Sequence, residues 1–146
     1  MSLLFLPFVT QGLIMGVDEY LHHKRGLGQW ERVGHPLDTL TVLIPLSIIA
    51  YNNYSESILF IYIGLAVLSC LFITKDEFIH AKECSPFENW LHSILFVLHP
   101  MIFLCSGLIW KQDPSNKFLY FQATFVAIFM AYQIFRWSIP WKQMIR

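Results

Sequence analysis

Five apolar runs, each close to the length that carries a helix across a bilayer, constrain this chain more than any other feature: residues 3–21, 37–51, 58–74, 90–110 and 118–135. A hydrocarbon core of roughly 30 Å is crossed by about 20 residues of helix. The second run has only fifteen residues, so it is expected to borrow a turn at one end or to lie where the bilayer thins. The first lacks a basic leader and a small-residue cleavage site and runs into Asp18 and Glu19, which reads as a retained helix and not as a signal peptide. Charged residues are 14% of the sequence, against about 25% in an average soluble domain. So much apolar surface excludes a disordered chain. Ten Lys and Arg balance ten Asp and Glu, which leaves no basic footprint for nucleic acid. The expectation is a single all-α transmembrane domain over 1–146, a bundle of about five helices in the lipid bilayer.

Charge placement orients the bundle. With five crossings, Lys24, Arg25, Arg32, Lys75, Lys82, Arg136, Lys142 and Arg146 fall on one side, and Lys111 and Lys117 on the other. The positive-inside bias predicts a cytoplasmic C-terminus and an outside N-terminus, in a bacterial inner membrane. Tyr51 and Tyr54 toward one end, and Trp30, Trp90, Trp137 and Trp141 toward the other, read as interfacial belts. Three cysteines, Cys70, Cys84 and Cys105, are too few for a disulfide framework.

A repeat carries the polar residues. Asp18-Glu19-Tyr20-Leu21-His22 matches Asp76-Glu77-Phe78-Ile79-His80, 58 positions later, and each copy is followed by a Glu-x-x-x-His: Glu31 and His35, then Glu88 and His92. The chain therefore reads as two helical hairpins, 3–52 and 58–110, plus a fifth helix over 117–138. Five of the six histidines and eight of the ten acids lie in these two segments, both on the cytoplasmic side. Ionisable groups in or beside a bilayer are costly and mark functional sites. Imidazole beside carboxylate suggests a divalent or trivalent metal.

Residues three or four apart share a helix face, so Glu19 projects with His22 and Glu77 with His80, and Asp18 and Asp76, close to the same face, join them as candidate ligands. A Glu-x-x-His from each of two helices and a Glu from each of two others resembles the ligand set of ferritin-like di-iron and di-manganese bundles. On that resemblance Glu31 and Glu88 are the further carboxylates, and His35 and His92 add nitrogen donors outside the ferritin-like pattern. The set is also similar to the histidine-rich di-metal sites of membrane hydroxylases and desaturases. Their HxxHH boxes are absent, the nearest echo being Glu19-x-x-His22-His23.

Local chemistry offers plainer roles. Ser85-Pro86-Phe87-Glu88 is a helix start in which Glu88 closes a capping box. Pro36 predicts that the second helix begins near His35 and leaves Glu31 in a preceding loop or turn. Asp38 is a ligand, a partner that fixes the His35 tautomer, or a cap, the second being preferred. His23 has no counterpart in the second copy and is a surface residue or an extra ligand. Cys84 has helical spacing to His80 and Glu88, but Pro86 interrupts that helix and argues against ligation. His99, seven residues past His92, is a local partner of the Pro100 kink or a group reaching into the membrane. The Phe-rich fifth helix, with Gln122 and Gln133 but no acid or histidine, reads as a packing helix or a homodimer interface.

The expected function is a membrane metalloprotein with two or more ions, iron favoured and zinc the alternative, at the cytoplasmic edge. Its leading form is a di-iron oxidoreductase acting on a small lipophilic substrate, lipid-like or quinone. The alternatives are a zinc-dependent membrane hydrolase and a structural or sensor metal protein.

Overall fold

The computed structural model describes residues 2–138, so Trp141, Lys142 and Arg146 lie outside the described residues. No strand occurs among them. A 3₁₀ turn, Ser2–Phe5, leads into α1 (Leu6–Arg25). There follow α2 (Gln29–Tyr51), α3 (Glu56–Phe72), α4 (Glu77–Glu83), α5 (Pro86–Gln112) and α6 (Lys117–Gln133). A 3₁₀ turn at Ile73–Asp76 joins α3 to α4 as one rod over Glu56–Glu83, and α6 ends in a π turn, Ile134–Ser138.

Four of these, Gln29–Tyr51, Glu56–Glu83, Pro86–Gln112 and Lys117–Ser138, are long and apolar enough to cross a membrane. The expected first span is a helix, but it is not among the four. Asp18, Glu19, Lys24 and Arg25 crowd the last turns of α1 and dilute its apolar stretch. The second expected span is not short. Glycine caps it at Gly28, Glu31 closes the capping box on the Gly28 N–H at 2.9 Å, and α2 runs for 23 residues from Gln29. Pro36 therefore lies inside the helix. The carbonyl four residues before it, on Arg32, loses its helical donor and is served by the Ser138 hydroxyl at 2.6 Å. The π turn delivers that hydroxyl.

Elsewhere the punctuation is local. Gly26, at φ 80°, ends α1 in a backbone conformation that suits glycine. Ser55, Ser85 and Asn116 cap α3, α5 and α6. The 3₁₀ turn before α4 falls on Ile73 and Thr74, whose branched side chains are poorer helix formers.

α2 packs on α6 and α3, and α1 on α5. The apolar core gathers at one end, where Leu46, Ile49, Tyr62, Phe103, Trp110 and Leu119 interlock. Tyr62 donates to the Phe103 carbonyl at 2.6 Å and Trp110 to the Asn52 carbonyl at 2.8 Å. Gly107 permits this packing, because a Cβ there would meet the Tyr62 ring at 3.1 Å. The opposite end is polar, and the buried histidines and acids lie there.

Candidate metal centre

Four imidazoles from four helices form a ring: His22 on α1, His35 on α2, His80 on α4 and His92 on α5. Centroids lie 4.9 Å apart for His22–His35 and 4.0 Å for His80–His92, within the two sequence segments. Between the segments they are 6.1 Å for His22–His92 and 6.4 Å for His35–His80. The carboxylates cross over in a reciprocal way. Glu88 Oε1 lies 3.7 Å from His22 Nε2, and Glu31 Oε1 lies 3.9 Å from His80 Nε2. Asp18 Oδ1 meets His92 Nε2 at 2.8 Å, while Asp76 groups with His35 and Asp38.

Four sets of donor atoms fall within 4.8 Å of one another: Asp18, His22, Glu88 and His92; His22, Glu31 and His35; His80, Cys84 and His92; His35, Asp38 and Asp76. All four members of the first set are buried. Buried polar atoms are nearly always hydrogen-bonded. Here His22 Nε2, His35 Nε2, both His80 nitrogens and His92 Nδ1 are buried with no hydrogen-bond partner among the described residues. Imidazole, carboxylate and one thiol are the donors that zinc, iron and manganese take. The residues fit a metal.

Glu19 and Glu77, expected as ligands, do not join the cluster. At 3.6 residues per turn the residue four before a histidine stands about 40° to one side of it and the residue three before about 60° to the other. The cluster lies on the aspartate side. Glu19 instead accepts from Tyr132 Oη at 2.6 Å and from Trp137 Nε1 at 2.9 Å, and Glu77 is exposed. The recurring unit is thus Asp-x-x-x-His and Glu-x-x-x-His. Glu31 and Glu88 are both inside the cluster, and neither is only a cap. His23 is exposed and meets the Arg136 guanidinium at 3.0 Å. Cys84, despite Pro86, places its sulfur with His80 and His92. His99 lies outside the cluster, bonded through Nε2 to Ser69 Oγ at 3.0 Å.

Three side chains that the ligand pattern omits organise the charges. Arg25 grips Glu31 through two bonds, 2.6 and 3.1 Å, and reaches Glu88 at 3.1 Å. The Glu31 hydrogen bond raises the guanidinium's already high pKa further, against the opposing effect of burial. Lys75 holds Asp38 at 2.6 Å and Asp76 at 2.9 Å. Trp30 donates to Asp76 at 3.3 Å. Arg25 stands three residues after His22, on the same face, so its role was readable from spacing. Asp18, Glu31, Asp38, Asp76 and Glu88 against Arg25 and Lys75, five negative and two positive, leave a formal charge of −3 beside the four rings. Burial, with Glu88 next in effect, pushes the Cys84 thiol up to about 12.

An apolar chamber of about 520 Å³ opens onto the cluster. That is within the roughly 300–1,000 Å³ typical of small-molecule sites. It runs from Phe8 and Phe118, near the core end, to His22, His35, His80 and His92.

Comparison with protein families, curated proteins and solved structures finds no match. Function has to be read from the site.

Proposed function

We propose that the chain is an integral membrane metalloprotein whose four imidazoles and neighbouring carboxylates hold a dinuclear centre, iron favoured, that oxidises a lipid-like or quinone substrate. The observation that carries this reading is the set of five buried ring nitrogens without hydrogen-bond partners, set against a residual negative charge. Two of the donor groups share His22 and two share His92, an adjacency suited to neighbouring ions. Mixed nitrogen and oxygen donors suit iron. Bound there, iron would supply dioxygen activation: R–H, O₂, two protons and two electrons from an external reductant give R–OH and water.

The chain's own residues prepare the site. Asp18 accepts the His92 Nε2 proton, which fixes the tautomer and leaves Nδ1 as the ligating atom. Arg25 pairs with both buried carboxylates, Glu31 and Glu88. The chamber presents a mostly apolar lining on the substrate side. A zinc-dependent hydrolase is the second reading. The grouping of His80, Cys84 and His92 favours it, because a catalytic zinc takes three protein ligands and an open water position.

The test is metal content per chain by mass spectrometry, on detergent-purified protein never exposed to chelator. Two irons, with a visible absorption lost in His22→Ala and His92→Ala, are the expected result. Two zincs shift the assignment to hydrolysis. A correctly folded chain without metal overturns both readings.

A further inference from the structure

The chamber has a side opening as well as a floor of histidines. α1 and α6 flank it and are pinned to each other at both ends. Toward the core, Phe5 and Phe8 meet the Phe118 ring edge-on, with centroids at 4.7 and 4.9 Å. Toward the histidines, Glu19 is tied to Tyr132 and Trp137. Between the two pins, Val9 and Leu13 of α1 and Phe121 and Phe125 of α6 line the chamber and are yet 59%, 68%, 64% and 55% exposed. Residues that face a cavity and the outer surface together mark a gap in the wall. Gly12 lies on its rim, and a Cβ there meets nothing within 4 Å.

We infer that this chamber takes one hydrocarbon tail of a bilayer lipid, admitted sideways between α1 and α6. The inference rests on the proposed function and deepens it by naming the substrate class and its route. The gap is lined by apolar side chains in the first halves of two helices, away from the polar end and at a level where lipid tails lie if the bundle crosses a bilayer. Inside, the polar lining short of the histidines is partnered by the protein except at Gln11, whose buried Oε1 has no hydrogen-bond partner among the described residues. His99 is bonded to Ser69, Gln122 accepts from Ser106, and Gln133 accepts from Thr39. A tail therefore meets walls that ask little hydrogen bonding of it until it reaches the histidines. The Glu19–Tyr132–Trp137 tie closes the wall between the gap and the polar end. A headgroup stays outside that tie, and a carbon remote from the headgroup is the one brought to the cluster.

The experiment reconstitutes the full chain in phosphatidylcholine vesicles in which one acyl chain carries a diazirine near its methyl end. After illumination, labelled residues are mapped by mass spectrometry. The expected result is labelling of the inner-wall residues Phe96 and Ile102, in addition to the lipid-facing Phe60 and Val97. Inner labelling is expected to be retained in Gly12→Ala and lost in Gly12→Leu and Gly12→Trp, whose side chains would obstruct the gap at its rim. Labelling of Phe60 and Val97, with an unchanged helical circular dichroism spectrum, shows that each variant is folded and inserted. An unlabelled inner wall in the native chain, or inner labelling that persists in both Gly12→Leu and Gly12→Trp, overturns the inference. Metal content is measured on the same samples. Inner labelling without metal sinks the metal reading alone, and metal without inner labelling sinks the chamber inference alone.

Discussion

A guanidinium that holds Glu31 at 2.6 Å and Glu88 at 3.1 Å competes with any metal ion for the same oxygens. Removing it leaves two buried carboxylates facing each other with no cation. Breaking a buried ion pair from one side costs about 3–5 kcal/mol. The Arg25 side chain is about a quarter exposed, so Arg25→Ala is expected to lose nearer ~2 kcal/mol in the metal-free protein. Added ferrous or zinc ion should recover more thermal stability in this variant than in the native chain, because the ion takes over the lost charge. Equal recovery in both would remove Arg25 from the centre's charge balance. Cys84 provides a pH prediction. An ordinary thiol near pKa 8.5 reaches its full alkylation rate by about pH 10. Burial and Glu88 hold Cys84 protonated well beyond that, up to about 12. In metal-free protein its reaction with iodoacetamide should be slow at pH 8 and still accelerating at pH 11, followed residue by residue by mass spectrometry. A rate that levels off before pH 10 would contradict the burial.

The helices show where local rules stop. Spacing alone put Asp18 and Glu19 on one face with His22, and the resemblance to Glu-x-x-His di-metal sites favoured the glutamates. Only the direction of α6 relative to α1 decides between them, since Glu19 turns toward Tyr132 and Trp137 and Asp18 toward His92. The start of α2 was misread for a related reason. Proline rules are local, but the carbonyl that Pro36 frees on Arg32 is satisfied by Ser138, about a hundred residues downstream. By contrast, the pairing of Glu31 with His35 and of Glu88 with His92 was legible, because an i, i+4 pair survives any tertiary arrangement. The Pro36 contact can be measured as a double-mutant cycle. Ser138→Ala should cost about 1 kcal/mol by orphaning the Arg32 carbonyl. In a Pro36→Ala background the helical N–H returns, and the same change should cost almost nothing. Additive losses would mean that the hydroxyl does not serve that carbonyl.

At the scale of the molecule, the all-helical character and the membrane-length helices were readable from composition and run length, and the division of labour between the ends was not. That division depends on which faces meet, and α1 shows it. Too polar to stand with the four membrane-length helices, α1 nevertheless runs the full length of the bundle, from the Phe118 contacts at the core end to the histidines. The beginning of α1 and the end of α6 therefore lie at opposite ends. Reporters fused before Leu6 and directly after Ser138 are expected on opposite faces of the membrane, and protection of both from the same side would contradict an α1 that crosses. The two ends also differ in what fastens them. Around Leu46, Phe103 and Trp110 the fastening is close packing, whereas around His22 and His80 it is ion pairs and hydrogen bonds between short helix ends. Regions with few buried apolar contacts open locally at far smaller free-energy cost than a packed core. The core end is thus the part that consolidates and stays shut, and the histidine end is the part that breathes. On the proposed reading, assembly and loading would be separable: the aromatic end anchors the bundle, and an ion would enter through the histidine end, where opening costs least.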